Sequence, residues 1–156
     1  MRLSSLDRLV PTETTIVTIE DDHLVQEALC RELEALADRL PDLPPLPELR
    51  RLSGRILQIT TQHLPRADAL FADLPASAGP SPEALRSLRT MHALDTIHGQ
   101  DLVAALWAYA GSRPRDQVGQ LSYMLRCFFD GNRRAIALKD TWIAGLRRED
   151  LMRAGR

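Results

Sequence analysis

The chain has 156 residues, a net charge of -1 with acids and bases interspersed, and only 4% aromatic residues. That length suits one domain able to bury roughly two-thirds of its unfolded surface, with no disulfide or metal needed to compensate for small size. The even charge leaves no electrostatic footprint for nucleic acid or an anionic membrane surface, and no apolar run approaches spanning length.

Asp7 and Arg8 interrupt what would have to be the apolar core of a signal peptide, so the expected compartment is the cytoplasm, with Cys30 and Cys127 reduced. No Gly-rich phosphate loop, nucleophile elbow, Cys-x-x-Cys pair or HExxH motif is present, so a hydrolase or nucleotide enzyme has no support. The alternating β-branched pattern of strands is confined to TTIVTI at Thr14 to Ile19, and the chain reads as all-helical.

Residues 1–15 form a separate arm, with Leu3, Leu6, Leu9 and Val10 spaced as a short apolar face before Pro11 stops any helix. The arm is expected to dock on its own bundle or on a partner, either another protein or a second copy of the chain. The first helix is expected from Thr18, where Thr18-x-x-Asp21 has the form of a capping box, to about Leu40. Its inward line is Ile16, Ile19, His23, Gln26, Cys30, Leu33 and Ala37. The prolines between Pro41 and Pro47 make a stiff loop.

A second helix starts at Pro47 or Glu48 and ends near Leu74, carrying Leu49, Leu52, Ile56, Ile59, His63, Ala67, Leu70 and Leu74 on one stripe. Pro65 removes one backbone bond and should kink it. Ser81 caps a third helix that runs to about Ala110 and is closed by Gly111, with Leu85, Leu88, His92, Asp95, Gly99, Leu102, Leu106 and Ala110 inward. Asp116 is the expected cap of a fourth, whose inward line is Leu121, Leu125, Phe128, Asn132, Ala135, Lys139, Ile143 and Leu146. The economical architecture is an up-down-up-down four-helix bundle over residues 16–146, with the N-terminal arm before it and a tail at 147–156.

His23, His63 and His92 fall near the middle of three different helices, each on the inward face. A single inward histidine is more often a hydrogen-bonded core residue than a ligand, but three converging imidazoles are the way a bundle builds a metal site. The stretches IEDDHLVQEALCRELEALAD, TQHLPRADALF, MHALDTIHGQDLVAAL and RRAIALKD, in this order and spacing, resemble the hemerythrin-like (HHE cation-binding) family.

That resemblance implies a bundle holding a non-haem di-iron centre on a histidine, a His-x-x-x-Glu, a histidine and a His-x-x-x-Glu/Asp from successive helices. His23, His63 and His92 match it. Ala67 stands at the helix-two glutamate with Asp68 beside it, Ala135 at the helix-four histidine, and Lys139 at its acidic partner. Both bridging carboxylates are therefore missing. The implied cofactor is one Fe or Zn ion on the three histidines, or none, and the expected role is binding or sensing. The alternatives are a metal-free structural or interaction protein and, third, a di-iron protein handling oxygen, peroxide or nitric oxide.

Gln26, Asp68 and Asp95 are additional candidate ligands; Gln26 and Asp95, one turn from His23 and His92, equally suit an orienting role. Lys139 either snorkels to solvent or places its ammonium in the vacated site, where Asp68 or Glu20 is positioned to pair with it. His98, six residues from His92, is expected at the surface. Helix lengths place Cys30 and Cys127 at nearly the same height if the first and fourth helices are antiparallel neighbours.

Overall fold

The apolar stripes settle into four helical rods in a computed structural model that describes residues 6–112 and 115–156, with side chains from Glu13 to Gly111 and from Asp116 onward. The first rod is α1 (Leu6–Arg39); the second is α2 (Leu46–Gln58), a π-helical turn (Ile59–His63) and α3 (Leu64–Ala72) in unbroken succession. The others are α4 (Pro82–Ser112) and α5 (Val118–Ala154), the latter entered through a short 3-10 turn (Arg115–Gln117). No strand is present among the described residues, and no described helix is long and apolar enough to cross a membrane.

α5 packs on both α1 and α4, while the second rod packs on α4 and, more lightly, on α1. Polar pairs record the register of α1 against α5. Glu20 meets Arg147, His23 meets Asp140, the Cys30 thiol points to the Phe129 carbonyl, and Asp38 meets Arg126, so the partners run in opposite order along the two helices. Leu33, Leu49, Leu52, Ile56, Leu102, Leu106, Leu125 and Phe128 fill a core on one side of the histidines. Ile16, Ile19, Phe71, Leu88, Ile143 and Leu146 fill a smaller one on the other. The polar layer is thus sealed at both ends by close-packed hydrocarbon.

The inward lines expected of α1 and α5 are buried throughout. Several boundaries differ. α1 passes through Pro11 without stopping, at the loss of one amide donor, and Thr18 lies well inside it, its hydroxyl donating to the Thr14 carbonyl and not capping anything. Leu3 and the side chains of Leu6, Leu9 and Val10 lie outside the described residues. Ser81 does cap α4, its hydroxyl accepting from the Ala84 amide at 3.1 Å, but α4 continues past Gly111 to Ser112. Asp116 sits inside the 3-10 turn, and Gln117 precedes α5 with no side-chain cap.

The π turn is the structural answer to Pro65. An α-helix would press the proline ring against the carbonyl four residues back. Here the Leu64 amide reaches back five residues to the Ile59 carbonyl, which widens the turn just before the ring. The extra residue rotates the downstream face, so Phe71 is buried while Leu70 and Leu74 are only half covered. His63 closes this turn and remains 3% exposed.

Facing the turn is Gly99, where an added Cβ would lie 2.7 Å from Thr60 Cγ2 and 2.9 Å from Phe128 Cε2. Alanine in a helix interior is favoured over glycine by about 1 kcal/mol, whereas overpacking a tight core costs about 1–3 kcal/mol. Overpacking should win. Gly99→Ala is expected to lower stability by about 1–2 kcal/mol in urea unfolding, and Thr60→Ser in the same chain should return part of the loss by removing the nearer methyl.

Candidate functional site

Each of the three inward histidines has an aspartate of another helix on its outer side, hydrogen-bonded to the ring for His92 and His23 and only near it for His63. His92 of α4 donates from Nδ1 to Asp68 Oδ1 of α3 at 2.8 Å. His23 of α1 donates from Nδ1 to Asp140 Oδ1 of α5 at 2.8 Å. His63, at the end of the π turn, faces Asp22 Oδ1 of α1 through Nε2 at 3.8 Å, and Asp22 is itself gripped by Arg66 at 2.6 and 2.9 Å. A carboxylate accepts only, so it draws the ring proton to the outer nitrogen and leaves the inner one bare. On this ground His92 Nε2 and His23 Nε2 are bare, and the facing nitrogen of His63 is Nδ1. His23 Nε2 and His63 Nδ1 are buried with no hydrogen-bond partner.

Lys139 supplies what His92 Nε2 accepts. Its side chain is 0% exposed and its Nζ lies 3.2 Å from that nitrogen. Of the two pairings expected for this amine, neither is formed: Asp68 is taken by His92, and Glu20 binds Arg147 at the surface. Burial pulls the Lys139 pKa down from 10.5 to about 8, and Asp68, Asp95, Asp140 and Asp22 oppose that fall. The three histidines are also held below the ordinary imidazole value, first by burial, with the Lys139 charge acting in the same direction on each.

Next to this layer lies a set of buried oxygens. Asp95 is 4% exposed, and an added Cβ on Gly131 would stand 2.3 Å from its Oδ1, so glycine makes the space for the carboxylate. Asp95 Oδ2, Gln26 Oε1 and Asn132 Oδ1 have no partner among the described residues. Burial lifts Asp95 to about 6. Asp95 therefore turns toward α5 and leaves the orientation of His92 to Asp68. His98 is half-buried with Nδ1 unpartnered, where a surface position was expected, because α4 turns that face toward its neighbours. Cys30 is buried with its thiol pushed up to about 12, first by burial, and Cys127 is a half-buried free thiol.

The chemistry of the donors suits a cation, since three neutral imidazoles braced by carboxylates form the usual arrangement around a metal. The geometry does not. Among the described residues no three His, Cys, Asp or Glu side chains stand where one ion would be held by all of them. Ala67 and Ala135 are buried and bring no donor, and Lys139 places an ammonium on the inner nitrogen of His92. With Lys139 seated in this way, the residues present do not fit a metal ion. No protein-family model matches this chain, and no curated protein or solved structure is significantly similar to it.

Asp68 was a named candidate, whereas Asp22 and Asp140 were not singled out for this site. Their signal is positional: Asp22 precedes His23, Asp68 follows Ala67 and Asp140 follows Lys139, so each sits one residue from an inward position. At 100° around the helix from that position, a side chain reaches sideways to the next helix.

Two outcomes follow from these environments. Between pH 8 and 10.5 the unfolded chain keeps the Lys139 proton that the native protein gives up, so stability should rise with pH across that window. At about 1.4 kcal/mol per unit, the rise attributable to Lys139 is at most about 3 kcal/mol. It should disappear in Lys139→Met when unfolding free energies are compared at both ends of the window. Gly131→Ala should cost about 1–3 kcal/mol by forcing the Asp95 carboxylate aside. A double-mutant cycle with Asp95→Ala should show most of that cost as coupling between the two positions.

Proposed function

We propose that the chain is a hemerythrin-like up-down-up-down bundle that serves in binding or sensing, with its metal site degenerate. The reading is carried by Lys139. It stands buried at the position where the resemblance expects a bridging carboxylate, and its ammonium rests on one of the three matching histidines. Ala67, 4% exposed, stands at the other carboxylate position. Two cations sharing this interior would lack the anionic bridges that offset their repulsion and would meet a third positive charge. Of the two states of a degenerate site, the lysine favours the one without an ion.

A second reading, as a metal-free interaction protein, is favoured by a specific observation on α4. Leu94 and Ile97 are 51% and 53% exposed on its outer side, and Leu24 of α1 is 72% exposed. The first fifteen residues remain the proposed contact segment for a protein partner or a second copy. Cytoplasmic placement belongs to the same proposal.

Anaerobic reconstitution with Fe²⁺ followed by oxygen tests the loss of di-iron chemistry. The expected outcome is substoichiometric iron and no oxo-bridge charge-transfer band in the visible spectrum. Two irons per chain with an intense band would place the protein among oxygen-, peroxide- or nitric-oxide-handling di-iron proteins instead. Restoring the pattern with Ala67→Glu, Ala135→His and Lys139→Glu together should raise iron retention and make the melting temperature depend on Fe²⁺.

A further inference from the structure

The inner line of α4, with Leu88, His92, Asp95, Leu102 and Leu106, is consumed by the bundle. Its outer side carries a second stripe. Ser87, Thr90, Leu94, Ile97, Asp101 and Ala104 recur at alternating steps of three and four residues, and all are exposed. That is the spacing by which one helix seats its side chains between those of another. One flank of the stripe holds Arg86, Ala93, Gln100 and Trp107, also exposed, while the other flank is half-buried against the bundle. Leu94 and Ile97, 51% and 53% exposed, lie near the middle of the helix.

The stripe is complementary to itself when reversed. About a point midway between Leu94 and Ile97, reversal sets Leu94 on Ile97, Thr90 on Asp101 and Ser87 on Ala104: apolar on apolar, polar on polar, small on small. On the flank it sets Arg86 within about 3 Å of the level of Trp107, a guanidinium against an indole. Self-complementarity about a dyad is what a twofold interface requires and what a foreign partner does not.

Charge selects the direction. Arg86 and Arg89 stand toward the start of α4 and Asp101 toward its end. None of the three forms an ion pair among the described residues, whereas Arg66, Arg133 and Arg147 are all engaged. A parallel pair of these helices would set Asp101 on Asp101. An antiparallel pair carries each Asp101 to the basic end of the other helix.

We propose that α4 docks on α4 of a second copy, antiparallel and twofold, with Leu94 of each copy against Ile97 of the other. This rests on the reading of the outer side of α4 as a contact surface and names what covers it. The overlap runs from Pro82 to Tyr109, about 42 Å of helix. Strips of that length and about 10 Å width on two copies bury on the order of 1,000 Å² together, the lower limit for a specific interface. The dimer is therefore reversible and dissociates on dilution through the micromolar range.

Sedimentation velocity of the full chain, from low micromolar to millimolar concentration, tests this. Wild type should pass from monomer to dimer. Ile97→Glu should weaken association by about ten-fold or more, since a twofold axis counts each substitution twice. Leu24→Glu, on the outer side of α1, should leave it unchanged. Asp101→Arg sets arginine against arginine at both ends, and Arg86→Glu/Arg89→Glu sets acid against acid, so each should self-associate less than wild type. Mixed in equal amounts, these two variants should form a heterodimer tighter than either self-pair, because both ends are then opposite in charge. Every substituted position is exposed, so far-UV circular dichroism should be unchanged.

A chain that stays monomeric at millimolar concentration overturns the proposal. So does a dimer that Ile97→Glu leaves intact, or a pair of charge variants that associate no better mixed than apart. A dimer broken by Leu24→Glu and untouched by Ile97→Glu overturns it as well, yet keeps the broader reading of the chain as an interaction protein, so the two failures are separable.

Discussion

Burying one ammonium between four helices is the constraint from which the polar architecture of this protein follows. Moving such a charge out of water costs several kcal/mol per ion even after relaxation. Fully buried lysines left to themselves fall to pKa values near 5–6. Burial lowers Lys139 as well, and Asp68, Asp95, Asp140 and Asp22 oppose that fall. Its surroundings stand in two shells. The His92 imidazole lies against the amine and accepts an N–H without introducing a charge. The four aspartates stand further out, near enough to stabilise the ammonium. Placing a carboxylate directly on Nζ would make a stronger pair. The observed order, with histidine between lysine and Asp68, instead leaves every bracing aspartate partly open to solvent or, for Asp22, matched by Arg66.

The same helices are latched on the outside by arginine. Arg133 spans Glu27 and Glu34, Arg147 holds Glu20, and Glu32 receives both Arg51 and Arg55. Exposed pairs of this kind contribute about 0–1 kcal/mol each, so they are poor candidates for the source of stability. They do record register. Arg133 and Arg147 stand about four turns apart along α5 and meet Glu27 with Glu34 and Glu20 of α1 in the reverse order, so α1 runs past α5 in the opposite sense, which also brings His23 level with Asp140. Arg66 connects the two levels: it ties α3 to α1 and at the same time holds the carboxylate that faces His63.

Helical periodicity made most of this interior legible. Every residue of the lines Ile16 to Ala37 and Leu121 to Leu146 is buried, including Gln26, Asn132 and Lys139, which no hydrophobicity scale would place there. Spacing outweighs residue type when a stripe is long. What periodicity hides is any change in the period itself. The π turn before Pro65 inserts a residue, so Phe71 replaces Leu70 in the core, and a proline reads in sequence as a lost bond with no indication of how the turn absorbs it. Asp140 and Asp22 were hidden for a different reason. They flank inward positions and act on a neighbouring helix, so they become visible only when the rotation of two helices is known together. Asp116 shows the limit of local rules, since a good capping residue was bypassed by a 3-10 turn that hands the α5 N-terminus to Gln117.

On the proposed hemerythrin-like reading, Ala67, Ala135 and Lys139 make best sense as one change and not three. A metal pair brings several positive charges, and bridging carboxylates are the means by which a helical core accepts them. Taking away both carboxylates and one imidazole while leaving the metal would strand charge. Taking away the metal while leaving the carboxylates would strand charge of the other sign. On the proposed reading, two alanines remove donor groups and free volume, and the four-carbon stem of Lys139 passes through the interior to deliver a single charge. The carboxylates that remain are those one step further out, on the outer nitrogens of the histidines, where they suit one ammonium. A core altered in only one of these respects would be unbalanced, which is why the lysine and the alanines are expected to depend on one another.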